Sequence, residues 1–238
     1  MTAGTAVDLP FTPLERAVSV PGADALVLAD IHFGRGAVSR VEAPLDDDSD
    51  VLERLADALT RVEPATVVVA GDLLHSFSWL PPGVERSLSR LEATVAAAGA
   101  RLQVTPGNHD TMLEGCYDGE QSAAYRLADG ETVVCHGHER PSLEGVRYIV
   151  GHDHPALSVD GRKRPCFLYG PDAYRGADVL VLPAFTRLAA GATVNGMYGR
   201  DFQSPLVTDP DAFYPGVWDE AAESVRWFPP LGRCRGLL

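Results

Sequence analysis

Lysine is almost missing from this chain: Lys163 stands alone against 19 arginines and 33 acidic residues, and the net charge is −13. So acidic a surface argues against a broad basic face of the kind that grips duplex nucleic acid. No apolar run is long enough to cross a bilayer and no basic-then-apolar leader opens the sequence, so the expectation is a protein of the cytoplasm, without a membrane partner. Cysteine is scarce as well. Cys116, Cys135, Cys166 and Cys234 are scattered without a Cys-x-x-Cys pair, which favours free, mostly buried thiols over disulfides or a zinc knuckle. Repeats, low-complexity tracts and long linkers are missing too. The 238 residues suffice for a sizeable α/β core, so 1–238 reads as a single domain.

What is present is organised around TVVVAGDLLH, Thr66 to His75. Val67 to Ala70 reads as a buried strand, and Gly71-Asp72 sits at its end, where ligands collect in open α/β sheets. Before it, 14–20 and 24–30 read as two strands, and Ser49-Asp50 reads as the cap of an amphipathic helix over 51–62. The acidic run Asp46 to Asp50 then belongs to a solvated capping loop rather than to a metal site. A second helix is expected over 84–98, closed by Gly99, and a third core strand over 102–105. Further on, AAYRLADGETVVC and ALSVDGRKRPCFLYG read as hairpins turning at Asp-Gly, and Asp178 to Leu182 as another buried strand.

Five short clusters carry the chemistry: Asp30-x-His32, Gly71-Asp72, Gly107-Asn108-His109-Asp110, His136-Gly137-His138 and Gly151-His152-Asp153-His154. The chain has 7 histidines, and each lies in one of these clusters or, as His75 does, three residues from Asp72. Imidazole with carboxylate suits manganese, iron or zinc. Asp30 with His32, and His152 with His154, share a face if the strands continue through them. Asn108 adds a carbonyl oxygen, and Asp72 has two oxygens with which to bridge. Two divalent ions roughly 3.5–4 Å apart would share a bridging water, and the resulting hydroxide would attack a phosphoryl group. With only two charged ligands the loaded pocket stays positive and attracts phosphate even in an acidic protein.

The order D-x-H, GD, GNHD, H, GHxH, at intervals of 42, 36, 28 and 16 residues, resembles the calcineurin-like metallophosphoesterases over about Asp24 to Pro155. The resemblance implies a four-layer αββα sandwich with two central mixed β-sheets. It implies Asp30, His32, Asp72 and His154 on one ion, and Asp72, Asn108, His136 and His152 on the other, with manganese first and iron, zinc, nickel or magnesium as alternatives. His109 resembles the family's catalytic histidine, which protonates the leaving oxygen or stabilises the transition state. GDLLH resembles the GDLFH of the SbcD-type repair nucleases, where the histidine contacts the scissile phosphate. That makes His75 a candidate in the catalytic machinery, beside the plainer reading of a loop histidine. ADIHFG and LPAF…GATVNG resemble the ICC-like phosphoesterases, some of them associated with a DNA ligase.

Arg35 fits a phosphate-binding fork and equally a surface arginine. Asp110 fits an orienting partner of His109 or the cap of the next turn, and His138 lies outside the family pattern. The SWLPP loop, Ser78 to Pro82, either lines the substrate cleft or packs on the surface. The leading expectation is a two-metal phosphodiesterase acting on DNA or RNA ends, linked to DNA repair. The alternatives are a hydrolase of cyclic nucleotides or phosphomonoesters, and a non-catalytic metal-binding module. The repair nucleases carry a further DNA-binding domain, whereas here about 80 residues follow His154, reading largely as strands.

Overall fold

A computed structural model describes residues 9–38 and 47–235. The first sheet holds β1 (Thr12–Leu14), β2 (Ala17–Val20), β3 (Ala25–Leu28), β4 (Thr66–Val69) and β5 (Arg101–Val104), in the order β1-β2-β3-β4-β5. Its first three strands pair antiparallel, and β3-β4-β5 run parallel. The segment 14–20, expected as one strand, is instead a hairpin. Glu15, at φ 51°, turns the chain between β1 and β2.

The second sheet contains β6 (Tyr125–Arg126), β7 (Thr132–Val134), β8 (Arg147–Val150), β9 (Pro155–Val159), β10 (Arg162–Tyr174), β11 (Ala177–Val181) and β12 (Ala192–Thr193), in the order β12-β9-β10-β11-β8-β7-β6. Two more strands, β13 (Tyr214–Asp219) and β14 (Ser224–Trp227), attach through the pairing of β13 with β10. Both expected hairpins are present, β6–β7 around Asp129-Gly130 and β9–β10 around Asp160-Gly161. β7 and β8 are parallel to each other, as are β8 and β11.

Alternation along the strands explains the layering. Beyond the one-turn α1 (Arg35–Val38), Leu26, Leu28, Val67 and Val69 face α2 (Asp47–Val62) and α3 (Val84–Ala97) through Leu55, Leu59, Leu88 and Leu91. Their neighbours Val27, Ala29, Val68 and Ala70 face the other way, against Val134, Ile149, Leu180 and Leu182 of the second sheet. Strands buried on both faces read as continuous β-branched runs, as VVVA does. Across the second sheet, Val133, Val150 and Val181 pack on Phe202, Leu206, Phe213 and Leu231. This fourth layer is thin. It consists of short 3₁₀ turns and a one-turn helix, Leu231–Cys234, rather than long helices.

The chain is therefore α/β, with two mixed sheets face to face and helices outside. Ser49 and Asp50 lie inside α2, not before it, because the helix is already formed at Asp47. Acidic residues in a first turn suit the positive end of the helix dipole. Asp46, part of the expected loop, lies outside the described residues. All four cysteines are unpaired, and three are buried. Among the described residues no helix is long and apolar enough to cross a membrane.

Candidate metal centre

All five clusters follow the carboxyl ends of strands: β3, β4 and β5 in one sheet, β7 and β8 in the other. Because β3-β4-β5 are parallel, and β7-β8 likewise, each sheet delivers its loops to one edge, and the two edges meet. The loops are knitted together by their backbones. Asp30, His32 and Phe33 donate their N–H groups to the carbonyls of Gly71, Asp72 and Leu73 at 3.0, 2.9 and 2.8 Å.

The paired motifs converge, but not because a strand carries residues i and i+2 on one face. β3 ends at Leu28 and β8 at Val150, before the ligands begin. Asp30, His32, Asp72, His152 and His154 have φ values of 59, 54, 50, 70 and 43°, the left-handed region that non-glycine residues avoid. Turning the backbone at alternate residues brings both side chains of each pair inward, and such strain characteristically gathers at functional sites.

Two subsites emerge. In the first, Asp30, His32, Asp72 and His154 each offer an atom, all within 4.8 Å of one another. His154 Nε2 lies 3.2 Å from Asp30 Oδ1 and 3.3 Å from His32 Nε2. In the second, His136 Nε2 is 3.1 Å from Asn108 Oδ1, 3.2 Å from His152 Nδ1 and 3.4 Å from Asp72 Oδ1. Asp72 thus faces both subsites, with Oδ2 toward His32 at 3.9 Å and Oδ1 toward His136.

The outer nitrogens are already committed. His32 Nδ1 lies 3.3 Å from the Leu74 carbonyl, and His136 Nδ1 lies 3.0 Å from that of Ala70. A carbonyl only accepts, so each Nδ1 carries the proton and each Nε2 presents a lone pair inward. Metal-binding histidines are oriented in this way. The donor set, two carboxylates with imidazoles and one amide oxygen and no thiolate, fits divalent transition metals.

The electrostatics point the same way. Burial holds His32 down to about 3, and His136 and His152 to about 4, so these rings are neutral at physiological pH. Asp30 is depressed: burial opposes its charge, but His154, His136 and His32 together overcome that. For His154 burial also opposes the charge, and Asp30 wins, raising it. Asp72 is pushed up to about 8 by burial and by Asp30, which marks a site short of positive charge.

His109 is oriented by the His75 carbonyl, to which its Nδ1 donates at 2.8 Å. Its Nε2 is 3.8 Å from Asp72 Oδ2, beside the first subsite. His75 stands at the same edge, its ring 5.5 Å from His32 and 6.0 Å from His109, with a buried Nδ1 that has no partner among the described residues. Arg35 opens a short helix, Arg35–Val38, where its backbone N–H donates to the His32 carbonyl at 3.2 Å, and its charge adds to burial in depressing His75. His138 packs with its ring 5.2 Å from that of His136, and its Nδ1 too has no partner among the described residues.

Asp110 takes neither role expected of it. Its carboxylate accepts the backbone N–H groups of Leu73, Leu74 and Gly107 at 3.2, 2.8 and 2.8 Å, fastening the GDLLH loop to the GNHD loop. Two glycines let the loops close. A Cβ on Gly71 would stand 2.3 Å from His136 Nδ1, and one on Gly107 2.2 Å from Asp72 Oδ1. The expected SWLPP loop divides: Leu80 packs on the core, whereas Trp79 is exposed. The aromatic that reaches the site is Phe77, one residue before that loop and missed in the sequence; its only signal there was a second aromatic beside Trp79.

Arginines do gather in one place, without making a basic face. Arg16, Arg54, Arg164 and Arg187 line one cleft, but Glu15 and Glu220 line it too, and Asp50 pairs with Arg54 and Arg187.

A family model for calcineurin-like phosphoesterases matches residues 24–176. No curated protein matches the chain by sequence. Among solved structures it is similar to nuclease MPE of Pseudomonas putida, at 19% identity and a TM-score of 0.62 over 92% of this chain and 100% of that one. It is also similar to Yfce, a phosphoesterase from E. coli, at 15% identity and a TM-score of 0.43, over 84% of this chain and 95% of that one.

Proposed function

The chain belongs to the calcineurin-like phosphoesterases, and from that premise we propose that it is a two-metal phosphodiesterase acting on the ends of nucleic acids. It is a phosphoric ester hydrolase of a family that depends on divalent metals; the number of ions, manganese as the metal, the substrate, and the tie to DNA repair are the proposal. So is the reading of 1–238 as one domain.

The observation that carries it is the pair of fixed tautomers. His32 and His136 each give Nδ1–H to a carbonyl, so both Nε2 atoms turn toward Asp72, one to each oxygen. Asp30, His32, Asp72 and His154 would hold one ion, and Asp72, Asn108, His136 and His152 the other. Bound there, the ions supply Lewis acidity to the phosphoryl oxygens and lower the pKa of water.

The chain's own residues do the rest. His109, its Nδ1–H held by the His75 carbonyl, presents Nε2 at the edge of the site and, as the imidazolium carrying a proton on each nitrogen, gives the Nε2 proton to the leaving oxygen. Arg35 meets a phosphate oxygen, and His75 lies within reach of the same group. The likeness of GDLLH to the repair nucleases supports nucleic-acid ends, and the acidic surface supports a hold on a few nucleotides rather than a long duplex. The nuclease from P. putida shares the fold and is consistent with this.

A matrix of metals against substrates tests the reading. Manganese-loaded protein is expected to hydrolyse model diesters and short single strands ahead of phosphomonoesters and cyclic nucleotides. Hydrolysis confined to monoesters would refute it. His109→Ala should retain the metals and slow hydrolysis by roughly 10²–10⁴, with a smaller loss for good leaving groups. An equal loss for poor and good leaving groups would remove His109 from the role of acid.

A further inference from the structure

The mouth of the metal centre carries apolar surface that hydrolysis itself does not use. Phe77 is 51% exposed, in a chain whose large hydrophobics are mostly buried. Phe77 lies against His109, ring centroids 3.8 Å apart and planes tilted by 32°. Its backbone is fixed, because Thr111 Oγ1 donates to the Phe77 carbonyl at 2.6 Å. Two residues earlier the His75 carbonyl receives His109 Nδ1. An aromatic side chain is thus held beside the imidazole that faces the leaving oxygen, with half of it left in solvent.

We propose that Phe77 forms a stacking platform for the heterocyclic base on the leaving side of the scissile phosphodiester. This rests on the phosphodiesterase reading above and names what that site selects. Stacking suits this chain for a physical reason. With a net charge of −13 the surface gives phosphates little to hold, whereas a base offers a neutral π-face, and every base offers one. The platform is also small, one ring beside His109, which fits a substrate gripped by its last nucleotides.

Three dinucleotides test it: thymidylyl-thymidine, and the two versions lacking one base, on the leaving side or on the far side. Wild-type protein should lose on the order of ten- to a hundredfold in kcat/KM when the leaving-side base is absent, and little when the far base is absent. Phe77→Ala should show that same loss on the full dinucleotide and no further loss on the leaving-side abasic compound. Phe77→Leu, which keeps an apolar contact on His109 without a π-face, should behave like alanine, and Phe77→Trp should restore the discrimination. Thymidine should show saturation-transfer NMR contacts with the metal-free protein that vanish in Phe77→Ala.

Equal slowing of all three compounds by Phe77→Ala would mean that the ring only supports His109, and the platform would fall. Wild-type protein cleaving all three equally would remove the platform while the phosphodiesterase reading stood. Cleavage of phosphomonoesters but of no dinucleotide would remove both.

Discussion

Gly107→Ala tests the architecture of the metal centre with a single methyl group. The backbone at Gly107 does not need a positive φ, so alanine introduces no torsional strain there and acts by volume alone. The added Cβ would stand 2.2 Å from Asp72 Oδ1, 2.6 Å from the Asp72 backbone nitrogen and 2.9 Å from His136 Cδ2. Ordinary contact requires a retreat of roughly 1 Å. The Asp72 carboxylate cannot swing freely, because Oδ1 accepts the His109 N–H at 3.0 Å and the side chain is buried. Metal–ligand distances tolerate only about 0.2 Å. The substitution should therefore release metal from both subsites and cost at least about a hundredfold in turnover, with overpacking destabilising the fold by about 1–3 kcal/mol. Elemental analysis, calorimetric metal titration and hydrolysis of a model diester read these effects. Gly115→Ala is the control: among the described residues nothing lies within 4 Å of its Cβ, and it should match wild type. A Gly107→Ala protein that kept its full metal content and turnover would refute the placement of Asp72 between the subsites.

Asp72→Asn should lower metal content and abolish hydrolysis, since the side chain shared by both subsites loses its charge; a full pair of ions by elemental analysis would count against the bridge. Asp110→Ala should destabilise the fold by about 3 kcal/mol in denaturant titration, because three backbone N–H groups lose their acceptor, whereas Asp110→Asn keeps one carbonyl oxygen and should be milder. The buried imidazoles of the metal-free protein should cost it stability in acid. Burial keeps His32, His136 and His152 neutral in the folded chain down to between about 3 and 4, while the unfolded chain protonates them below about 6.5. Their contribution is present above about 6.5 and is lost as pH falls. Asp72, raised to about 8 by burial and Asp30, works oppositely, removing stability as pH rises from about 4 to 8. Asp110 and Asp153, also raised by burial, act in the same direction as Asp72, so the clean readout is the ring protons of the three histidines by NMR: in chelator-treated protein they should hold their neutral shifts well below pH 6.5, and titration near 6.5 would contradict the neutral imidazoles.

The strands were legible where burial on both faces left an uninterrupted β-branched run, as in Val67 to Ala70, and the hairpins where Asp-Gly marks the turn. The break at Glu15 was not legible, because glutamate at a positive φ leaves no trace in a hydrophobic pattern. The thin fourth layer was hidden for a related reason. Short 3₁₀ turns around Phe213 and Leu231 bury apolar side chains without any helical period. The ligand clusters could be read as chemistry, since histidine and aspartate beside glycine at strand ends are rare by accident. Their convergence could not be reasoned correctly from alternation. It depends on left-handed backbone at Asp30, His32, Asp72, His152 and His154, and each of those angles is set by neighbouring loops.

That dependence says what the glycines and Asp110 are for. Left-handed ligands persist only if their surroundings over-determine them. Here the loop after β3 is bound to the loop after β4 through Asp30, His32 and Phe33, and that loop to the GNHD loop through Asp110. Gly71 then admits His136 from the second sheet, and Gly107 admits Asp72. Each contact joins strands distant in sequence, so no single motif builds the site. The loops form one frame in which His32 and His136 are held neutral with their Nε2 atoms turned inward before any ion arrives. The metal then meets preoriented lone pairs, and its binding energy is not spent on turning the rings.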